Sequence, residues 1–232
     1  MLEDALRYPL NNDDWLATLV IGGLLILTSP LVVPALVLQG YLLRVLRMAV
    51  AGEDAAPSFT DWGALIVDGI KLLIVQFVFA LVLLVPFGVL FTVVLGGGAL
   101  IGGDAGAATF GAGAFILAGL LIVGSLLIGY VTPAALTNMA VKGELSAAFE
   151  FSVIRTAVFS TDYLVGVLLG AVLAAVIGTV AFIPPIIIGF MIVLFYAQVV
   201  SYYCFGRGFA EATGVGRAGD TATATATTTD TL

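Results

Sequence analysis

Histidine is missing from this chain, and cysteine occurs once, at Cys204. Zinc, iron and copper sites draw on these two residue types, so an N/S metal site is excluded and no cofactor is expected. The same absences exclude Ser-His-Asp and Cys-His nucleophiles, and a lone cysteine excludes an intramolecular disulfide. Charge is scarce as well. Asp, Glu, Lys and Arg make up 10% of the 232 residues, against roughly 25% in a soluble domain. Only eight bases stand against fifteen acids, for a net charge of −7. No positive surplus remains to neutralise phosphate backbones, so nucleic acid is not an expected partner. The glycine clusters at Gly96-Gly97-Gly98 and Gly102-Gly103 lack the Lys-Ser/Thr that completes a phosphate-cradling loop. With none of these constellations present, the chain is not expected to be an enzyme.

What fills the space is apolar. Hydrophobic residues reach 61% and the mean hydropathy is +1.19, which predicts an all-α polytopic bundle in a cell membrane. Residues 1–210 read as one integral membrane domain. Residues 211–232, rich in Gly, Ala and Thr, have no apolar face to bury and read as a disordered tail.

Residues 162–206 form the clearest unit, a hydrophobic hairpin with arms at 163–182 and 186–204 on either side of Pro184-Pro185. Each arm is about twenty residues, which matches a hydrocarbon core ~30 Å thick. In the first arm Gly166, Gly170, Ala174 and Gly178 recur every fourth position. That spacing places them on one face, where another helix can approach closely. Residues 15–50 are ambiguous, because Pro30 and Pro34 interrupt them. They read either as a short hairpin, 13–28 and 31–49, or as one long kinked helix. The first gives six spans and the second five. Further spans are expected at 72–95 and 112–135, joined by a glycine- and alanine-rich loop over 96–111. Residues 143–160 are less apolar and predict a short helix lying along the cytoplasmic surface.

Bases fall on alternate loops: Arg44, Arg47 and Lys71, then Lys142 and Arg155, then Arg207. The positive-inside tendency makes those loops cytoplasmic and, with the hairpin reading, places both termini inside. Arg44, Arg47, Lys71, Lys142 and Arg155 thus form a candidate rim for lipid headgroups or partner proteins. Within it, Arg44 is expected to pair with an acid of the 53–68 segment, leaving Arg47 freer for lipid phosphate. No charged residue falls at a predicted span centre. The deepest polar residues, Gln39, Gln76, Thr92, Ser125, Asn138 and Gln198, are expected to bond between helices. Acids crowd the water-facing stretches, as at Glu53, Asp54 and Asp61, which suits a protein hydrated in concentrated salt.

Two N-terminal blocks are more specific. Leu6-Arg7-Tyr8-Pro9, Asp13-Asp14-Trp15 and Ile21-Gly22-Gly23 open the chain; Gly40-Tyr41-Leu42-Leu43-Arg44-Val45 and Pro57-Ser58-Phe59-Thr60-Asp61-Trp62-Gly63 follow. Over roughly residues 1–210 the pattern resembles an archaeal, mostly haloarchaeal, family of membrane proteins of unknown function. The resemblance implies a helical membrane fold and transfers no site residue. The function expected is a non-enzymatic membrane component that organises lipids or partner proteins; the alternative is a permease or channel for a small solute.

Overall fold

The computed structural model describes residues 2–181 and 187–215. The expected turn at Pro184-Pro185 lies outside them; of the tail expected over 211–232, residues 211–213 are instead the last residues of the helix that begins at Ile187, and residues 216–232 lie outside the described residues. The described residues form eight α-helices and no strand, the expected all-α architecture. In order they are α1 (Leu2–Arg7), α2 (Trp15–Leu27), α3 (Val32–Ala51), α4 (Trp62–Ile101), α5 (Gly103–Lys142), α6 (Phe151–Val158), α7 (Thr161–Ala181) and α8 (Ile187–Thr213). Short 3₁₀ turns occupy Tyr8–Leu10 and Leu145–Phe149. Five helices, α3, α4, α5, α7 and α8, are long and apolar enough to cross a membrane.

Residues 15–50 break into two helices, as the hairpin reading has it. Pro34 falls in the first turn of α3, where its missing N–H costs nothing. The Thr28 hydroxyl donates to the Leu24 carbonyl at 2.7 Å and closes the end of α2. Yet α2 has 13 residues, about 20 Å at ~1.5 Å per residue, which is short of a full crossing. The structure therefore holds five long spans and one short apolar helix.

The chain divides into two compact units, Met1–Leu73 with Pro133–Leu232, and Ile74–Thr132. In the first, α8 is the element against which the others pack. A Cβ added at Gly166 of α7 would lie 2.8 Å from the Cys204 carbonyl oxygen, and one at Gly170 would lie 2.8 Å from the Phe205 ring. Gly206 of α8 leaves similar room for Ala49 of α3. Gly22 of α2 lies flat against the Phe195 ring. The α3–α4 crossing is tighter still, since a Cβ at Gly40 would collide with the Leu65 carbonyl and one at Gly69 with the Leu36 carbonyl. A buried aromatic cluster fills the core: Tyr41 stacks on Phe59 at 4.2 Å and lies 5.3 Å from Phe195, while Tyr8 lies 4.3 Å from Tyr203.

Of the stripe expected on α7, Gly166 and Gly170 lie where an added Cβ would press on α8. Ala174 is half-buried, and Gly178 has nothing within 4 Å of an added Cβ among the described residues. Replacing Gly170 with leucine should cost on the order of 1–3 kcal/mol through overpacking. Gly178→Leu should leave the melting temperature in detergent nearly unchanged. Equal losses in the two variants would show that the whole stripe packs.

The second unit corrects one expectation. Residues 96–111 are not a loop. Helix α4 continues to Ile101, the chain reverses at Gly102 and Gly103 with φ of 68° and 56°, and α5 begins at once. Those angles favour glycine. Alanine is the strongest helix former and dilutes the glycines here, while the glycines let the two arms meet without side chains between them. A Cβ at Gly98 would lie 2.9 Å from that of Phe110, and one at Gly113 would lie 2.7 Å from Val94. The outward faces carry Phe77, Val82, Val85, Phe115, Ile116 and Leu126, all exposed. An apolar surface of this kind marks contact with lipid rather than water.

Candidate functional site

Charged side chains in the first unit gather where α3, α4 and α5 have their charged ends. Asp68 sits one turn and a half into α4, next to the glycine that lets α4 touch α3. Its carboxylate is 13% exposed and lies 3.5 Å from both Arg47 of α3 and Lys71 of its own helix. Both bases have a second acceptor at the end of α5. The Arg47 Nε donates to the Ala140 carbonyl at 2.9 Å, and the Lys71 ammonium donates to the Gly143 carbonyl at 3.2 Å. The last carbonyls of a helix lack intrahelical partners and carry its negative pole, so cations suit them. One carboxylate and one helix terminus therefore hold two bases and join three helices.

A second pair lies one turn further on. The Lys142 ammonium, last in α5, bonds the Glu150 carboxylate. The Asn138 amide donates to the Ala147 carbonyl at 2.7 Å and reaches Glu150 at 3.5 Å. The hydrogen bond from Lys142 is the main reason the Glu150 carboxyl is held below the usual carboxylate range, with Asn138 adding to it. The expected surface helix is split at Glu150 into the 3₁₀ turn and α6.

Geometry reverses the division expected between Arg44 and Arg47. Arg44 donates to the Thr60 carbonyl at 2.9 Å and to its hydroxyl at 3.3 Å, and it has no ion pair among the described residues. Arg47 is the one paired with an acid. The cause is the Gly40 and Gly69 contact, which draws the start of α4 against α3 and sets Asp68 within reach of Arg47. Arg44 faces the 52–61 connection instead. Arg155 is exposed on α6, and its guanidinium makes no hydrogen bond or ion pair among the described residues. The rim thus separates into a bonded set, Arg47, Lys71 and Lys142, and two guanidinium groups, Arg44 and Arg155, that no carboxylate among the described residues neutralises.

The N-terminal segment is fastened to this unit. Ala56 N–H donates to the Tyr8 carbonyl at 3.1 Å, and Asn11 and Asn12 donate to the Asp54 carbonyl and the Ser58 hydroxyl, each at 2.8 Å. Tyr196 of α8 donates to the Leu6 carbonyl. The Tyr8 hydroxyl is buried with no hydrogen-bond partner among the described residues. Burial, then Tyr203 and Glu53, push its phenol above its ordinary range, so it stays neutral.

The deep polar residues divide differently from expectation. Asn138 bonds outside its helix, whereas Thr92 and Ser125 bond carbonyls of their own turns, Val89 at 2.7 Å and Ile122 at 2.8 Å. The side-chain carbonyls of Gln39 and Gln198 are buried without a hydrogen-bond partner among the described residues. No group of three or more Cys, Asp or Glu among the described residues is placed to hold a metal ion.

The model of a family described as "Protein of unknown function (DUF4013)" matches residues 23–186, a stretch that contains every rim base from Arg44 to Arg155. No curated protein and no solved structure matches the chain.

Proposed function

Since the chain belongs to the DUF4013 family, which carries no assigned activity, we propose from its geometry that it is a non-enzymatic component of the cell membrane that organises lipids at the cytoplasmic face. The observation that carries this reading is the partition of the rim. Arg47, Lys71 and Lys142 are occupied by Asp68, Glu150 and the end of α5, while Arg44 and Arg155 keep their charge available. Guanidinium groups suit phosphate because their planar fork donates two parallel hydrogen bonds. The location of the bases on alternate connections supports a cytoplasmic rim with both termini inside. The acid surplus and the N-terminal blocks support an archaeal, salt-rich setting; equal stability in dilute and in molar salt would speak against it.

A permease is the second reading, and one observation favours it. Gln39 on α3 and Gln198 on α8 hold unpartnered carbonyls inside two helices that pack together. A flux assay separates the two. Liposomes containing the protein should release a panel of small solutes no faster than empty vesicles, while anionic lipid should remain bound through purification. Solute movement above the empty-vesicle rate would overturn the lipid-organising reading.

A further inference from the structure

We propose that the outward face of α6, Phe151, Arg155 and Phe159 with the Ser152 hydroxyl beside them, is a binding site for the phosphate of an anionic membrane lipid. This rests on the lipid reading above and gives it an address. The three residues lie at i, i+4 and i+8, hence on one side of the helix. Phe151 is 72% exposed and Phe159 82% exposed, with Arg155 between them. Two aromatics left in water would be a poor arrangement, yet the helix cannot roll to hide them. Its opposite side is pinned by Ile154 and Ala157, both buried.

The position of α6 decides what covers that face. Helix α7 starts at Thr161, two residues after Phe159, and from Tyr163 to Ala181 it has no charged residue. Its Leu164, Val165 and Leu168 are exposed, so the hydrocarbon begins within about one 5.4 Å turn of the end of α6. A helix at that depth, apolar rings flanking a cation, has the chemistry of an interfacial anchor. The phenyl rings would enter the acyl boundary, and Arg155 would stay at the level of the phosphates.

The surroundings favour an anion at Arg155. The nearest acid before it in sequence, Glu150, is occupied by Lys142, and neither Asp162 nor Glu211 forms an ion pair with Arg155. Beside α6 lies a cavity of about 370 Å³ lined by Ser152, Val153, Thr156, Thr213 and Val215. Thr156 and Thr213 spend their protons on the Ser152 and Phe209 carbonyls, at 3.0 and 2.8 Å. The Ser152 hydroxyl makes no hydrogen bond among the described residues and has a proton to donate. An arginine fork and one free hydroxyl suit a phosphodiester, and the cavity has room for the headgroup it carries.

The test titrates the full chain, in a neutral detergent, with dioctanoyl-phosphatidylglycerol and follows thermal unfolding. The wild type should be stabilised by the lipid. Arg155→Gln should raise the apparent Kd about tenfold, the loss of a charge-assisted fork, and Arg155→Lys should fall between the two. The double variant Phe151→Ser with Phe159→Ser should weaken binding several-fold. All variants should melt with the wild type when no lipid is added, since the replaced side chains are exposed. Glycerophosphoglycerol, the same phosphodiester without acyl chains, should stabilise none of them. If it stabilises the wild type as well as the lipid does, the ligand is a free phosphodiester and the lipid site is wrong. If every variant binds lipid as the wild type does, the α6 face is left to a protein partner; the site is overturned while the broader lipid reading stands. If the wild type itself ignores the lipid, that broader reading fails with it.

Discussion

Gly40→Val should be among the most damaging single changes this chain can suffer. Any Cβ at residue 40 meets the Leu65 carbonyl, and the reciprocal contact of Gly69 with the Leu36 carbonyl leaves α4 no direction in which to yield. Backbone cannot swing aside as a long side chain can, so the helices must separate. The expected cost is on the order of 3 kcal/mol or more, and it spreads, because the same contact positions Asp68 for Arg47. Thermal unfolding in mild detergent should show a large fall, or monodisperse protein should not be recovered. Gly88→Val is the control. That glycine lies in α4 with nothing within 4 Å of an added Cβ, so its replacement should stay within about 0.5 kcal/mol. Similar behaviour of the two variants would contradict the close crossing.

Asp68→Asn should be the second large effect. It keeps the shape of the side chain and removes the charge that two bases share. Because the carboxylate is 13% exposed while Arg47 and Lys71 are 42% and 33% exposed, solvent screens part of the attraction. A loss of about 1–3 kcal/mol is expected rather than the larger cost of a fully buried pair. A double-mutant cycle isolates it: Arg47→Met should cost less in the Asp68→Asn background than in the wild type. Strict additivity would mean that Arg47 is held by the Ala140 carbonyl alone.

These two predictions come from features that the sequence marks unequally. The α7–α8 contact is legible because Gly166 and Gly170 repeat at helical spacing. The α3–α4 contact uses one glycine from each helix, Gly40 and Gly69, and a single glycine in an apolar run has no period to betray it. The break before α3 is legible from Pro30 and Pro34, since proline acts locally. The turn at 102–103 is misread as a long loop because glycine content alone does not distinguish a flexible segment from two helices packed backbone to backbone. Among the rim residues, their places near the ends of α3, α4 and α5 and on α6 follow from spacing, but pairing does not. Which of Arg44 and Arg47 finds an acid depends on how closely α4 approaches, and that is set by the glycine contact. The exposed pair Phe151 and Phe159 is hidden for a related reason. Residues 143–160 read as one surface helix, and the split at Glu150 gives α6 its own start, so that Phe151 and Phe159 are left exposed.

The most direct test of the account is the melting temperature of the full chain in nanodiscs of neutral phosphatidylcholine against nanodiscs that also contain anionic phosphatidylglycerol, at the same salt concentration. If the rim binds anionic headgroups in the folded state alone, as proposed, mass action stabilises that state. The account predicts a melting temperature several degrees higher in the anionic bilayer, with part of the gain lost in Arg44→Gln and in Arg155→Gln. Identical melting in the two bilayers would contradict it.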